Sequence, residues 1–182
     1  MNIIEKNAVA WYVLRVTYQR EIAASKYLDE IGVKNYVPTV RVRKTNEKGV
    51  TIGWKTDPLI HNYIFINDSY NNVLTIKQGK LDYLRFVMGK DDNGVNSVPQ
   101  YVPDKQMEDF IRVVQARGSK PVDLDIDLRQ GERVRVLTGP FEGLEGVFVG
   151  VDNRHEKRVV VRIEGIAAHA SPALKSSEVE KI

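Results

Sequence analysis

The N-terminal two-thirds of the chain mixes the hydrophobic spacings of helices and strands, whereas the last third keeps the strand spacing alone. Residues 10–18 are rich in aromatic and β-branched side chains, which favours a strand. Across residues 20–31 the apolar side chains recur at helical spacing, and Gly32 follows where a helix commonly ends. The chain is therefore predicted to open with a strand and a helix.

Further strands and helices are predicted in the same region. They are strands over residues 33–43, 60–66 and 84–88, a short helix ending near Lys77 that Asp68 or Ser69 caps, and a last helix over residues 103–117. Pro38 lies within the first of these strands and indicates an edge or a bulge, because proline cannot donate a hydrogen bond to a sheet. The order predicts an α/β sandwich, in which helices pack on an antiparallel-leaning sheet.

From Gly131 onward the pattern is that of short, half-buried strands. Valines alternate with arginines over residues 133–136, and similar alternating runs follow at 147–151 and 159–163, with a polar turn at 152–155. Gly143 and Gly146 permit a positive φ or a close backbone approach where a small barrel bends. A small β-barrel is therefore predicted here, which makes the fold class of the whole chain α+β.

A linker is predicted between the two regions. It contains Gly118 and Pro121, and its alternating aspartates disfavour a strand. The predicted limits are residues 1–115 for the first domain, 116–129 for the linker and 130–182 for the barrel. Few contacts would cross such a linker, so relative motion of the two domains is expected.

Composition narrows the function classes. The chain is 42% hydrophobic, which supports real cores, and it has no cysteine, which excludes disulfides, thiolate metal sites and cysteine nucleophiles. The first residues lack a basic segment followed by a long apolar one, so no signal peptide is expected. No apolar run reaches the length of about 18 residues that a membrane helix needs. These features favour a cytoplasmic protein.

Enzymatic chemistry is not expected. The three histidines lie far apart without the spacing of metal ligands, and no glycine-rich lysine loop for phosphate binding is present. No pair of acidic residues is placed in a way that singles out a general acid. We therefore expect neither catalytic residues nor a metal or another cofactor.

Positive charge is concentrated in one segment. Residues 41–57 hold five basic and two acidic residues, so their net charge of +3 equals that of the whole chain. Residues 45–49 within this segment predict the tip of a β-hairpin. The candidate phosphate contacts are Arg43, Lys44 and Lys48. The alternative is a solvated edge hairpin whose lysines only prevent aggregation.

Two stretches of the chain resemble known modules. Residues 131–151, GERVRVLTGPFEGLEGVFVGV, resemble the KOW motif, the core of a small SH3-like barrel found in transcription elongation factors and ribosomal proteins. Segments 11–14, 20–21, 31–38, 58–66, 86–89 and 98–103 follow the order of the NGN domain. An NGN domain followed by KOW is the arrangement of the bacterial NusG family, to which residues 9–180 are similar.

This resemblance implies a partner, RNA polymerase, on whose largest subunit the NGN domain docks at the clamp helices. It also implies contact with non-template DNA or nascent RNA, and recruitment of ribosomal protein S10 or Rho by the barrel. The candidate polymerase-binding residues are Ile60, Tyr63, Phe65, Tyr83 and Phe86. Either Tyr63 and Phe65 or their alternating neighbours Ile64 and Ile66 must belong to the core.

Other candidates have two interpretations each. Arg15 and Arg20 flank the first strand–helix loop and either face nucleic acid or are solvated residues at a helix start. Phe141, on the glycine-rich corner of the barrel, either binds a partner or covers the small barrel core.

The chain departs from the family pattern at two points. His61 and Asn62 stand where the family has proline and glycine, and Glu164 and Ile166 replace an aromatic residue and an arginine in the barrel. These changes look like those of a specialised paralogue. The tract LIHNYIFI at residues 59–66 and the overall length resemble UpxY-type antiterminators, which act on capsular polysaccharide operons. The alternative function is a KOW-containing RNA- or ribosome-associated module without polymerase binding.

Overall fold

The computed structural model describes residues 8–90, 94–95, 97–122, 131–150, 156–163 and 165–182. The chain divides into two compact units, Met1–Pro103 and Asp104–Ile182. Both units contain helix and antiparallel sheet, so the predicted α+β fold class is confirmed.

The first unit is built on an antiparallel sheet. Its elements are β1 (Val9–Val16), α1 (Glu21–Glu30), β2 (Asn35–Tyr36), β3 (Thr39–Thr45), β4 (Thr51–Pro58), β5 (Tyr63–Ser69), α2 (Tyr70–Gln78), β6 (Leu84–Phe86), β7 (Met88–Lys90), β8 (Ser97–Pro99) and β9 (Tyr101–Val102). The main sheet has the order β2–β5–β1–β6, and β9 also pairs with β1. β3 and β4 form a separate two-stranded hairpin, as do β7 and β8.

One face of the main sheet packs against both helices of this unit. The central strand β1 contributes every second residue to this core, including Tyr12 and Leu14. This core also contains Ile64 and Ile66 of β5. Of the two alternating pairs predicted on this strand, the isoleucine pair is therefore the one that packs against the helices. Helices α1 and α2 close the core through Leu28 and other apolar residues.

Two predicted strands are interrupted, each for a physical reason. Pro38 separates β2 from β3, because it has no N–H to donate to the ladder. The strand predicted from residue 60 begins only at Tyr63, since Asn62 turns the chain with φ +69. Ser69 is the N-cap of α2, and its hydroxyl accepts a hydrogen bond from the Asn72 N–H at 3.3 Å, as predicted.

The second unit is a helix followed by one sheet. Its elements are α3 (Asp104–Gln115), β10 (Lys120–Val122), β11 (Glu132–Val136), a 3-10 turn (Gly139–Phe141), β12 (Glu145–Gly150), β13 (Lys157–Ile163), β14 (Ala167–Ala170), a second 3-10 turn (Ser176–Glu178) and β15 (Val179–Lys181). The six antiparallel strands are ordered β10–β14–β13–β12–β11–β15. This sheet is the β-rich C-terminal region that the alternating pattern predicts.

Helix α3 belongs to this second unit by its contacts. It packs against β13 and β14 and buries Met107, Phe110 and Val113. The division by contacts therefore falls before α3, whereas the predicted domain limit at residue 115 lies after it. Within the predicted linker, Lys120–Val122 forms β10 on the edge of the sheet. Residues 123–129 of that linker and the predicted turn at 152–155 lie outside the described residues.

The two glycines singled out in the sequence serve different purposes. Gly143 has φ +78, in the left-handed region that favours glycine. At Gly146 a Cβ atom would lie 2.6 Å from the backbone oxygen of Val160, so the neighbouring strand leaves no room for a side chain. Positive φ and close approach are thus both confirmed.

Candidate interaction surfaces

The second face of the main sheet carries two of the five residues predicted to bind polymerase. Phe65 is fully buried there and pairs with Val13 across β1. Tyr63 is half-buried and lies opposite Arg15. The Arg15 guanidinium donates to the Tyr63 hydroxyl at 3.2 Å and lies 5.7 Å from the ring centroid. Of the two aromatics, only Tyr63 is accessible for a partner.

Phe86 lies on the opposite face of the sheet, within the helix-covered core. Its ring centroid is 5.8 Å from that of Tyr12 and 5.2 Å from that of Tyr70. Burial, followed by the neighbouring Tyr70 and Tyr101, raises the pKa of Tyr12 above its usual value. This aromatic cluster stabilises the core, and Phe86 does not share a face with Phe65.

Tyr83 lies at the start of β6, where it contacts Arg20. The Arg20 guanidinium is 4.0 Å from the centroid of Tyr83 and 5.1 Å from that of Tyr18, so it lies beside two tyrosine rings. Burial raises the pKa of Tyr83, and the positive charge of Arg20 partly opposes this shift. Cation–π interactions with these two rings therefore fix the position of the Arg20 guanidinium, which remains a candidate for nucleic-acid contact.

The five candidate polymerase-binding residues do not form one apolar patch. Ile60 is half-buried in the turn after β4. Phe65 pairs with Val13 of β1, and Phe86 pairs with the next residue, Leu14. Phe65 and Phe86 are therefore on opposite faces of the sheet, because successive residues of a strand point to opposite faces. Alternation predicts the faces of one strand but not the register between strands, so this separation was not predicted, and a role of these residues in polymerase binding stays a prediction.

A buried carboxylate joins two turns beside Arg20. Glu21 is fully buried, and its Oε1 accepts a hydrogen bond from the Asn62 N–H at 2.6 Å. The Asn62 carbonyl in turn accepts from the Val16 N–H at 2.8 Å. Within the described parts of the chain, Oε2 of Glu21 has no hydrogen-bond partner. Sequence analysis missed this residue because a glutamate in the first turn of a helix is ordinarily exposed.

Two arginines lie side by side on the strands β1 and β6. Arg15 on β1 and Arg85 on β6 are directly opposite in register. Like charges in this position repel each other. Neither guanidinium contacts a carboxylate among the described residues. The sheet edge is thus suited to an anionic partner.

The predicted basic hairpin is present as β3 and β4. Its tip is closed by Asn46, whose side-chain oxygen accepts from the N–H groups of Lys48 at 3.0 Å and Val50 at 2.9 Å. Gly49 completes the turn with φ +76. The three predicted phosphate contacts in this hairpin are exposed: Arg43, Lys44 and Lys48. The structure therefore leaves them accessible to a nucleic acid.

Trp54 is the residue of the hairpin that sequence analysis missed. It lies on β4 directly opposite Arg43 and is 56% exposed. The guanidinium carbons of Arg41 and Arg43 are 5.6 and 5.9 Å from its ring centroid. A tryptophan within the basic segment was visible in the sequence, but its side of the hairpin depends on the register, which a β-bulge at Lys44 and Thr45 shifts.

In the second unit, Phe141 covers the core. It lies on the 3-10 turn and is 9% exposed, which corresponds to the second of its two interpretations. Arg112 of α3 donates to the carbonyls of Pro140 at 3.0 Å and Glu142 at 2.6 Å. The corner that carries Phe141 is therefore fixed from both sides.

His169 is buried on β14 in the same unit. Burial lowers its pKa to about 4, so the ring is neutral near pH 7. Its Nε2 lies 3.1 Å from the Ser119 hydroxyl, which itself donates to the Ala116 carbonyl at 2.8 Å. The Ser119 hydroxyl therefore joins the buried ring to the end of α3.

Across the described residues, no three histidine, aspartate or glutamate side chains are grouped so that they could hold a metal ion. None of the helices that the structure describes has the length and apolar character needed to cross a membrane.

Comparison with known proteins finds similarity to a protein family, to a curated protein and to a solved structure. A family model described as "Transcription termination factor nusG" matches residues 9–111. A transcription termination/antitermination protein NusG from Borreliella burgdorferi is 25% identical over 116 residues, which are 63% of this chain and 52% of that protein. The chain thus spans about half the length of this curated relative. A solved structure described as "Domain interaction in Thermotoga maritima NusG" is 23% identical with a TM-score of 0.44, covering 98% of this chain and 99% of that one.

Proposed function

The chain belongs to the NusG family, and from this premise we propose that it binds RNA polymerase through its first unit and promotes processive elongation and antitermination. The observation that carries the proposal is the family match over residues 9–111, which takes in the main sheet and the β3–β4 hairpin. In this proposal the chain is a transcription regulator and not an enzyme.

The part of the polymerase interface that remains accessible is centred on Tyr63. This side chain is half-buried, whereas Phe65 is fully buried and the half-buried Phe86 packs against the helix-covered core. Ile60 and Tyr83 are also half-buried. A partly exposed aromatic residue with a fixed hydroxyl is the type of group that contributes strongly to protein–protein interfaces.

The test is binding of the full chain to core RNA polymerase. Tyr63→Ala is expected to weaken binding by roughly thirtyfold, the loss typical of an interface aromatic. Tyr63→Phe keeps the ring and is expected to bind nearly as the wild type does. Tyr27→Ala, a matched truncation of a half-buried tyrosine on α1, serves as the control. Thermal unfolding of each variant confirms that the fold is intact.

Unchanged polymerase binding by Tyr63→Ala would remove this residue from the interface. Absence of binding by the wild-type chain would instead favour the alternative, a KOW-containing RNA- or ribosome-associated module. A pull-down with core polymerase therefore separates the two functions.

The remaining partners are part of the same proposal. Arg15, Arg20 and the basic hairpin are accessible for contact with non-template DNA or nascent RNA. The second unit would recruit ribosomal protein S10 or Rho, and because Phe141 is buried, the exposed residues around it would make that contact. The UpxY-type specialisation for capsular polysaccharide operons stays a prediction, which the genes next to this one would test.

A further inference from the structure

One face of the β3–β4 hairpin combines an aromatic ring with two arginines. Trp54 and Arg43 are directly opposite in register, and Arg41 is two residues from Arg43 on the same face of the strand. Both guanidinium carbons lie within 6 Å of the indole centroid, at the long end of the cation–π range. The three side chains therefore form one group.

The ring of this group remains available. Trp54 is 56% exposed, although burial of an indole is strongly favourable. The hairpin is a two-stranded sheet of its own, and most residues of both its strands are exposed. The tryptophan therefore adds little to the stability of a core and is accessible to a ligand.

The charge of the group is also uncompensated. Among the described residues, neither Arg41 nor Arg43 contacts a carboxylate. On the opposite face of the hairpin, by contrast, Lys55 is 2.7 Å from Asp57. Within the described part of the chain, the charges of Arg41 and Arg43 therefore lie unpaired on the side of the tryptophan ring.

These features match one kind of ligand. A single strand of nucleic acid offers unstacked bases with flat faces and phosphates beside each base. Trp54 would stack on a base while the arginines neutralise the flanking phosphates. A duplex hides its base faces, and an acidic protein surface would use the arginines but not the flat ring.

We propose that Trp54, Arg41 and Arg43 form a stacking site for one unpaired base of a single strand of nucleic acid. This site makes the proposed contact with nucleic acid more specific. It rests on the proposed function only for the origin of the strand, which would be non-template DNA or nascent RNA. Stacking on an indole does not require a 2′-hydroxyl, so DNA and RNA strands of the same sequence are expected to bind with similar affinity.

The chain supplies its own probe for the test. Its two tryptophans differ in exposure, since Trp11 is 3% exposed and Trp54 is 56% exposed. A base stacked on Trp54 should quench the fluorescence of that residue and leave the emission of Trp11 nearly unchanged. The full chain is titrated with DNA and RNA strands of about 12 nucleotides and with a duplex of the same sequence.

We expect quenching by both single strands and little quenching by the duplex. Anisotropy of a labelled strand gives the affinity of the variants independently of the tryptophan signal. Trp54→Ala should bind about tenfold more weakly, whereas Trp54→Phe should keep most of the affinity. Arg41→Gln and Arg43→Gln should each lower the slope of log affinity against log salt by ~0.7.

Two controls lie on the opposite face of the hairpin. Val40→Ala removes an exposed apolar side chain, and Lys55→Gln removes a charge that is already paired. Neither should change the affinity for the strand. The proposal is overturned if no single strand quenches Trp54 or if the duplex quenches it equally. It is also overturned if Val40→Ala weakens binding as much as Trp54→Ala does, or if Lys55→Gln weakens it as much as the arginine variants do.

This test is separate from that of the polymerase interface. Trp54→Ala is expected to bind core polymerase as the wild type does in the absence of nucleic acid. If the wild type fails to bind polymerase but binds single strands through Trp54, the proposed function fails and the stacking site stands.

Discussion

Backbone strain in the first unit is concentrated at a few residues around Glu21. Tyr18 and Gln19 have φ values of 62 and 53, and Asn62 has a φ of 69. Asparagine tolerates this conformation, but for the other two it costs about 1–3 kcal/mol each. The hydrogen bond from the Asn62 N–H to Glu21 fixes the neighbouring turn. The strained residues hold Tyr18 exposed beside Arg20.

At the same scale, His169 is expected to make the stability of the chain depend on pH. Its pKa falls from 6.5 to about 4 on folding because the ring is buried. Protonation therefore favours the unfolded chain. The contribution of His169 to the free energy of unfolding should be complete above about pH 6.5 and decrease by up to ~3 kcal/mol as the pH falls towards 4.

Urea unfolding of the wild type and His169→Gln between pH 7 and pH 4 measures this effect. The variant removes the titrating ring but not the carboxylates, whose own acid effects are common to both proteins. The wild type should lose more stability than the variant over this range. Equal losses would contradict the depressed pKa of His169.

At the scale of elements, the packing of β12 against β13 depends on Gly146. A Cβ at this position would lie 2.6 Å from both the Val160 backbone oxygen and a Val159 methyl carbon, so the strand must shift. Gly146→Ala should therefore destabilise the chain by ~3 kcal/mol. Gly143→Ala meets open space and costs only the strain of a positive φ, about 1 kcal/mol.

Chemical denaturation of the two alanine variants checks the order of these effects. If Gly143→Ala destabilises the chain more than Gly146→Ala, then conformational strain dominates at both positions and the steric argument is wrong.

The sequence predicted most elements of both units, because period, caps and turn residues are local signals. The local signals located α1, α2 and the strands on either side of Gly143. On β5 they predicted that one of two alternating pairs is buried, either the aromatic pair or the isoleucine pair. The sequence could not give the register between strands, which puts Phe65 and Phe86 on opposite faces. It also missed β10 and β14, since alanine and proline are weak indicators of a strand.

At the scale of the molecule, α3 stabilises the second unit. Among the described residues its side chains donate hydrogen bonds to four carbonyls of that unit's sheet and corner, in addition to burying its apolar side: Arg162 at 2.7 Å, Pro140 at 3.0 Å, Glu142 at 2.6 Å and Gly143 at 3.0 Å. Its removal would expose the surfaces buried by Met107, Phe110 and Val113. This loss amounts to ~5 kcal/mol or more, which is comparable to the total stability of a small domain.

Two fragments test this contribution. The fragment Asp104–Ile182 should unfold cooperatively, whereas residues 116–182, cut at the predicted domain limit, should be largely unfolded at 25 °C. Circular dichroism during heating distinguishes the two. Equal melting temperatures would show that the sheet does not need α3.

The register of the basic hairpin also sets a minimum length for anything that binds along it. Trp54 is opposite Arg43, and Lys48 lies in the turn beyond Thr45. At about 3.4 Å per strand residue, the ring and the lysine are on the order of 10 Å apart. A ligand must therefore extend over this distance along the hairpin if it is to contact both the ring and the lysine at the tip.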